Sequence, residues 1–454
     1  MAKAIVGQDF HRGLYNIFNP FNPLEPGDIA YVDCQDVRGD GDIRMQLGNS
    51  IVLSDQLVYR LYTGHMGAGK STELKRFKKY LEEKNFYVVY FAAGDDLEEE
   101  DIQHTDILLT CTRYLIEAFK DSANANSLVN WLKERWQSLE ELASTEISFD
   151  QANIELGISQ FAKVTAVMKT SPSTRQKIQQ EVEKHTPSLI EELNKFIAEA
   201  KRKLADKYAG IVVIADNLDR IALVFDQASQ RSNHEQIFID RSEQLKRIQC
   251  HMIYTIPISM VYSDKATILE DRFGLIQSLP MIMTHTPDGK EYQPGIDRLK
   301  ELIKRRIQIV SKKITLDQVF QNEDILKTLC LMSGGHVRNL ILLMRTALER
   351  TLTLPISNKE AQRAITEMRN TYRKAINENE WQILAKVYLS KEKLNAYDYH
   401  KLLFTRCILE YHLVENDSIK PWYNIHPLIF DIEEFQRALQ LEKNKMLITQ
   451  VNHK

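Results

Sequence analysis

The sequence predicts an α/β protein: a parallel sheet flanked by helices, followed by a helical region and a small mixed unit. Three observations carry this. Apolar strand-like runs alternate with helical patterns up to about residue 284, strand signals stop after about Pro294, and short helical stripes followed by a strand pair close the chain. A chain of 454 residues exceeds one ordinary core, so two to four domains are expected.

Residues 1–50 are rich in turn formers, including Asn19-Pro20, Asn22-Pro23 and Glu25-Pro26-Gly27, and read as an irregular lead-in that wraps the core. Leu57 to Tyr62 is a short apolar run, and Ser71 to Glu83 a charged amphipathic helix. Phe86 to Phe91 has the aromatic and β-branched content of a buried strand. An acidic turn follows (Asp95 to Asp101), and Thr105 or Asp106 is placed to cap a helix through Phe119. Residues 122–185 break the alternation and read as an insertion, with Trp131 and Trp136 in a helix and hairpin-like alternation from Ile147 to Thr170. A helix from about Ser188 to Lys207 leads into a buried strand, Ile211 to Asp216. Further strands are expected at His251 to Ile258 and Leu279 to Thr284. The boundaries are a lead-in at 1–50, an α/β core at 51–293 with the insertion at about 122–185, a helical region at 294–376 and a small unit at 377–454.

Composition narrows the function classes. The chain is 43% hydrophobic and 27% charged with a net charge of -3, which argues against a whole-surface nucleic-acid binder but leaves room for a local basic patch. Five dispersed cysteines (Cys34, Cys111, Cys250, Cys330, Cys407) with no C-x-x-C pair read as reduced thiols. No apolar run is long enough to span a bilayer and the first residues lack an apolar leader, so a cytoplasmic protein without a membrane partner is expected.

Between the first strand and the first helix stands Gly64-His65-Met66-Gly67-Ala68-Gly69-Lys70-Ser71, followed by Thr72. Roughly one or two chains in a hundred of this length would match G-x-x-x-x-G-K-[S/T] by composition alone, so the flanking strand and helix are what validate it. Gly64, Gly67, Ala68 and Gly69 let backbone N–H groups close around phosphates. Lys70 neutralises β/γ charge, Ser71 supplies a Mg²⁺ ligand, and Thr72 extends the helix N-terminus. The ligand this implies is ATP with Mg²⁺. A second acid at the end of another buried strand is required, and Asp216-Asn217-Leu218-Asp219-Arg220 supplies it. Asp216 is placed to hold Mg²⁺, and Asp219 either polarises the attacking water or simply ends the strand at solvent.

The phosphate loop and this D-x-L-D-R element resemble the additional-strand branch of P-loop ATPases, which holds the AAA+ and STAND proteins with the KAP and NACHT groups as relatives. Asp216-Asn217-Leu218-Asp219-Arg220 is most similar to the KAP version. Thr105-Asp106-Ile107-Leu108-Leu109 resembles a family of bacterial ATP-binding proteins, and the likeness runs from about residue 50 to 440. Such proteins imply a P-loop NTPase core, a helical lid and a winged-helix-like unit. Asn217 stands where many of these ATPases carry a catalytic Glu, so slow hydrolysis is expected.

The resemblance implies four further site residues. Thr255, within Ile253-Tyr254-Thr255-Ile256-Pro257, is read as a γ-phosphate sensor or as an ordinary strand threonine. Arg272 is read as an arginine finger reaching a neighbouring subunit or as a solvated surface arginine. Arg338, in Ser333-Gly334-Gly335-His336-Val337-Arg338, resembles the sensor arginine of a lid, with a lid salt bridge as the other reading. His426, before Pro427, is read as a diphosphate contact or as a strand-end cap. The expected function is an ATP-driven switch that controls self-assembly (a homo-oligomer) or a partner effector, in prokaryotic signalling or defence. The alternative is a DNA-associated loader or transposition-type regulator. The candidate recognition stretch Asp398 to Arg406 has only three basic or potentially basic residues, a thin phosphate footprint.

Overall fold

The computed structural model describes residues 2–39, 42–97, 101–140, 154–226, 231–394, 397–416 and 418–452. Its longer helices are α1 (Ala2–Ile17), α2 (Lys70–Glu83), α3 (His104–Phe119), α4 (Asn126–Glu140), α5 (Ile154–Thr170), α6 (Pro172–Leu204) and α7 (Ala266–Phe273). After these come α8 (Gln293–Val310), α9 (Glu323–Met332), α10 (Val337–Arg350), α11 (Asn358–Ala375), α12 (Glu380–Ser390), α13 (Tyr397–Phe404) and α14 (Glu433–Asn452). The strands are β1 (Tyr59–Gly64), β2 (Phe86–Ala92), β3 (Gly210–Asp216), β4 (His251–Thr255), β5 (Gln277–Leu279), β6 (Ile408–Glu415) and β7 (Ser418–Ile425). A five-stranded sheet has the order β2-β3-β4-β1-β5, and β6 pairs with β7. The chain divides into two compact units: residues 43–63 with 73–277, and residues 1–42, 64–72 and 278–454.

The first unit holds β2, β3, β4 and all of β1 but its last residue. β2 pairs with β3, β3 with β4 and β4 with β1, all parallel. Parallel strands covered on both faces must be apolar throughout, and Ile211 to Ala215 of β3 are all at most 2% exposed. The expected insertion is helical. α5 buries Phe161, Val164, Thr165 and Met168, the i, i+3, i+4, i+7 spacing of one helix face. The hairpin expected over Ile147 to Thr170 is therefore corrected to a helix from Ile154, while residues 147–153 lie outside the described ones. α3 is capped by Gln103, and Asp106 sits at its third position, where its carboxylate accepts the Gln103 N–H at 2.8 Å. The capping box thus replaces the expected Thr105 or Asp106 cap. α6 is longer than expected, running for 33 residues with Pro172 in its first turn and Pro187 inside it.

The second unit is built on α8, α9, α10 and α11, whose apolar faces share a core with Leu14, Phe18, Val32, Cys34 and Val37. The lead-in expected to be irregular contains the 16-residue helix α1, which packs on α8 and α10. Ser357 and Glu360 form a capping box at the start of α11. The strand expected at Leu279 to Thr284 is reduced to β5. Beyond it the extended chain bonds individually, with Met281 N to Glu410 O at 3.0 Å and Met283 N to Val37 O at 3.0 Å. The last elements, α12, α13, the β6–β7 hairpin and α14, have the winged-helix-like order.

Gly335 is held at φ +75°, and a Cβ there would lie 1.7 Å from Ile282 O. Gly27, at φ +89°, has nothing within 4 Å of its added Cβ. Gly27→Ala is therefore expected to cost about 1 kcal/mol, the conformational term alone. Gly335→Ala should cost about 3 kcal/mol or more, because backbone must move. Urea midpoints read from Trp381 and Trp422, both in this unit, compare the two, and equal midpoints would contradict the close approach.

All five cysteines are buried and free. Among the described residues, no helix is long and apolar enough to cross a membrane.

Candidate nucleotide site

β1 delivers the chain into a loop that only glycines can form, with Gly64, Gly67 and Gly69 at φ +137°, +86° and +114°. L side chains are strained in this half of backbone space. A Cβ at Gly64 would meet Leu279 O at 2.7 Å, and one at Gly67 would meet His336 Cε1 at 2.6 Å. At Gly69 nothing stands closer than Arg38 Nη2 at 3.8 Å. The loop is thus packed against protein on one side and open at Gly69, the shape of a phosphate cradle.

The loop carbonyls are tied within their own unit. The Nδ1 atom of His336 accepts the Asn339 N–H at 3.0 Å, so its Nε2 carries the proton and donates to Met66 O at 2.6 Å. Arg338 N donates to Gly67 O at 3.2 Å. Arg38, only 6% exposed, donates to Ala68 O at 2.8 Å and to Pro280 O. These three carbonyls are thus held by protein donors, and in a loop of this kind the remaining N–H groups are what a phosphate needs. Lys70, 5% exposed, donates to Gly64 O at 2.7 Å and His65 O at 3.0 Å, holding its ammonium at the loop. Ser71 follows in the first turn of α2, and the Thr72 hydroxyl accepts Leu24 N at 3.1 Å. The donor set fits a Mg²⁺-nucleotide. Among the described residues no cluster of three or more His, Cys, Asp or Glu forms a protein-only metal cage.

Three imidazoles are buried in this unit: His65 within the loop, His336 bonded to it, and His426 on the far side of Asn339. His65 Nε2 accepts Glu410 N at 2.9 Å, tying loop to hairpin. Burial pushes its pKa down to about 4, against the raising effect of Glu410 and with a further lowering by Lys70. Burial, then the Arg406 guanidinium, holds His336 well below the usual imidazole value and brings His426 to about 3.

The other sequence-predicted residues fall as follows. Asp216, fully buried at the end of β3, accepts Tyr90 OH at 2.6 Å and Asn217 N at 2.7 Å. Asn217 is left-handed at φ +66° and starts the turn that carries Asp219, 4% exposed. The Thr255 hydroxyl accepts Leu218 N at 2.9 Å and donates to Ala215 O at 3.4 Å, so it stitches β4 to the chain leaving β3. Arg272, in the last turn of α7, donates to Ser242 Oγ at 2.6 Å within its own unit. Arg338 begins α10 with its backbone on the loop. His426, read as a diphosphate contact or as a strand-end cap, is buried directly after β7 and caps the turn that begins at Pro427. Its Nδ1 accepts Leu428 N at 3.2 Å, its Nε2 meets Asn339 Nδ2 at 2.8 Å, and Tyr372 stacks on it at 4.6 Å. His336, inside the Gly-Gly-His motif already singled out, touches the loop through its side chain. Arg38 and Glu410 were missed, because no local pattern marks them.

Residues 49–223 match the KAP family P-loop domain. No curated protein matches the chain. Similar solved structures include a Walker-type ATPase of Pyrococcus abyssi, at 12% identity and TM-score 0.43, covering 93% of this chain and 99% of that one. Cdc6p from Pyrobaculum aerophilum is similar at 11% identity and TM-score 0.39, covering 94% and 98%. The Aeropyrum pernix Orc1 protein, solved in complex with DNA, is similar at 9% identity and TM-score 0.38, covering 94% and 96%.

Proposed function

We propose that this chain, whose residues 49–223 match the KAP family P-loop domain, is an ATP-dependent switch: it binds ATP with Mg²⁺, hydrolyses it slowly and thereby controls self-assembly or a partner effector. The observation that carries the reading is the tie between phosphate loop and lid. The Met66 and Gly67 carbonyls are bonded to His336 Nε2 and Arg338 N at the start of α10, and His65 to the hairpin backbone at Glu410. A ligand that repositions the loop acts directly on these bonds. A ligand shifts an equilibrium only through different interactions with its two states, and this connection supplies such a difference.

In this reading Lys70 and the loop N–H groups hold the phosphates, Ser71 and Asp216 are the Mg²⁺ ligands, and Mg²⁺ supplies charge neutralisation between the β- and γ-phosphates. Asp219 orients water. Asn217, an amide beside Asp216, cannot accept a proton, which supports slow turnover. Arg272 is the proposed finger for a neighbouring copy.

Asp216→Asn is expected to abolish Mg²⁺-dependent hydrolysis, lowering phosphate release at least about 100-fold while ATP still binds. Hydrolysis at the wild-type rate would remove Asp216 from the chemistry. Sizing the wild-type protein with ADP or a non-hydrolysable ATP analogue, with and without DNA, tests the switch. A larger species with the analogue alone is the expected result. Assembly or hydrolysis that appears only with DNA and falls steeply with salt would replace the switch by a DNA-dependent role.

A further inference from the structure

The turn that closes α13 is built for glycine and carries an arginine. Arg406 N donates to Leu403 O at 3.1 Å and Cys407 N to Leu402 O at 2.9 Å, the paired pattern of a helix ended by a left-handed residue. Arg406 is that residue, at φ +65°. Glycine adopts this conformation without penalty, whereas a residue with a Cβ is strained there. Strain of this kind clusters at ligand clamps, so an observed outlier is a reason to look for one.

The guanidinium has no visible reason to be there. Its Nε is buried without a hydrogen-bond partner, and no hydrogen bond or ion pair to its guanidinium is found among the described residues. Its electrostatic neighbours are His65 in the phosphate loop, His336 at the start of α10 and His426. These imidazoles are buried and neutral, and none can serve as a counter-ion. Around it the frame is fixed: Cys407 O accepts His426 N at 2.8 Å, and Glu410 N holds His65 at 2.9 Å. A permanent cation therefore sits on a strained turn beside the phosphate loop with nothing negative bound to it. A buried or half-buried arginine ordinarily finds a carboxylate or a phosphate.

We propose that Arg406 is a phosphate-binding residue: it brings a guanidinium from the C-terminal unit to the β- and γ-phosphates of a nucleotide in the loop Gly64–Ser71. The inference rests on the reading of that loop as a nucleotide site. It assigns the C-terminal unit a direct contact with the ligand, made by Arg406.

The left-handed backbone gives a test that separates binding from folding. Arg406→Gly removes the charge and relieves the strain. In the full-length protein with Mg²⁺, this variant should melt about 2 °C higher than wild type without nucleotide, yet bind ADP and ATP on the order of 10- to 100-fold more weakly by calorimetric titration. Arg406→Lys, which keeps a point charge but not the planar fork, should fall between the two. Wild-type affinity in Arg406→Gly would overturn the assignment and leave the loop site standing. Weaker binding together with a lower melting temperature would make the arginine structural and also overturn it. If wild type and Lys70→Ala bind ADP equally, the loop reading itself fails and the proposal falls with it.

Discussion

Alanine in place of Lys70 is expected to weaken ATP binding by on the order of 100-fold. The ammonium is the loop's own cation, and a charge-assisted contact to a phosphate is worth about 1.5–3 kcal/mol. Folding should change much less. Lys70 donates to the loop carbonyls Gly64 O and His65 O, and it is no part of either apolar core. Titration calorimetry for affinity and circular dichroism for the fold separate the two effects. Unchanged affinity would remove the loop from nucleotide binding, whereas a lost fold would show that the ammonium is a structural clasp.

Acid should loosen the unit that holds the phosphate loop. An imidazole whose folded pKa lies below its unfolded value of about 6.5 binds fewer protons when folded. Stability is then present above pH about 6.5 and is lost as pH falls toward the folded value. His65 is depressed to about 4 and His426 to about 3, both chiefly by burial, and His336 shifts in the same direction. The groups facing them are Glu410, Lys70, Arg406 and one another. Moving from pH 7 to pH 5 should cost about 2 kcal/mol per such group, on the order of 5 kcal/mol for the three together. Urea midpoints at Trp381 and Trp422 should drop steeply over that interval. A flat profile would contradict neutral buried rings. In the other unit Asp106, raised to about 7 by burial, has the opposite sign: its folded form binds the extra proton between pH about 3.8 and about 7. It therefore partly offsets the depressed His104, His234 and His251 there.

The parts of the site legible in the sequence are those whose chemistry prescribes a spacing. The glycine-rich loop needs its glycines and lysine at fixed offsets, and β3 needs an unbroken apolar run before Asp216, so both stand out locally. The fastenings of the loop do not. His336 reaches Met66 across 270 residues and Glu410 reaches His65 across 345, and nothing near either residue encodes its partner. Two helices were misread for different reasons. In α5, β-branched residues gave an apparent alternation, although the buried set Phe161, Val164, Thr165 and Met168 has helical period. At α1, the turn formers from Asn19 to Gly27 set the reading of the whole lead-in, and Gly7 and Gly13 lower helix propensity besides. Yet a Cβ at Gly13 would lie 2.7 Å from Val310 Cγ1, so that glycine is what lets α1 approach α8. Tertiary contact outweighed local preference.

The buried cysteines have a consequence for observing motion. Cys111 and Cys250 belong to the unit of residues 43–63 and 73–277, and Cys34, Cys330 and Cys407 to the other. Burial raises the thiol pKa to about 12 for Cys250 and Cys330, to about 11 for Cys407, and well above the usual value for Cys111. Since the thiolate is the reactive form, the closed protein is silent toward an aromatic disulfide reagent, and modification proceeds only through local or global opening. Each unit therefore carries its own internal clock. Mapping which thiol is modified first, with and without nucleotide, reads the opening rate of one half of the molecule independently of the other.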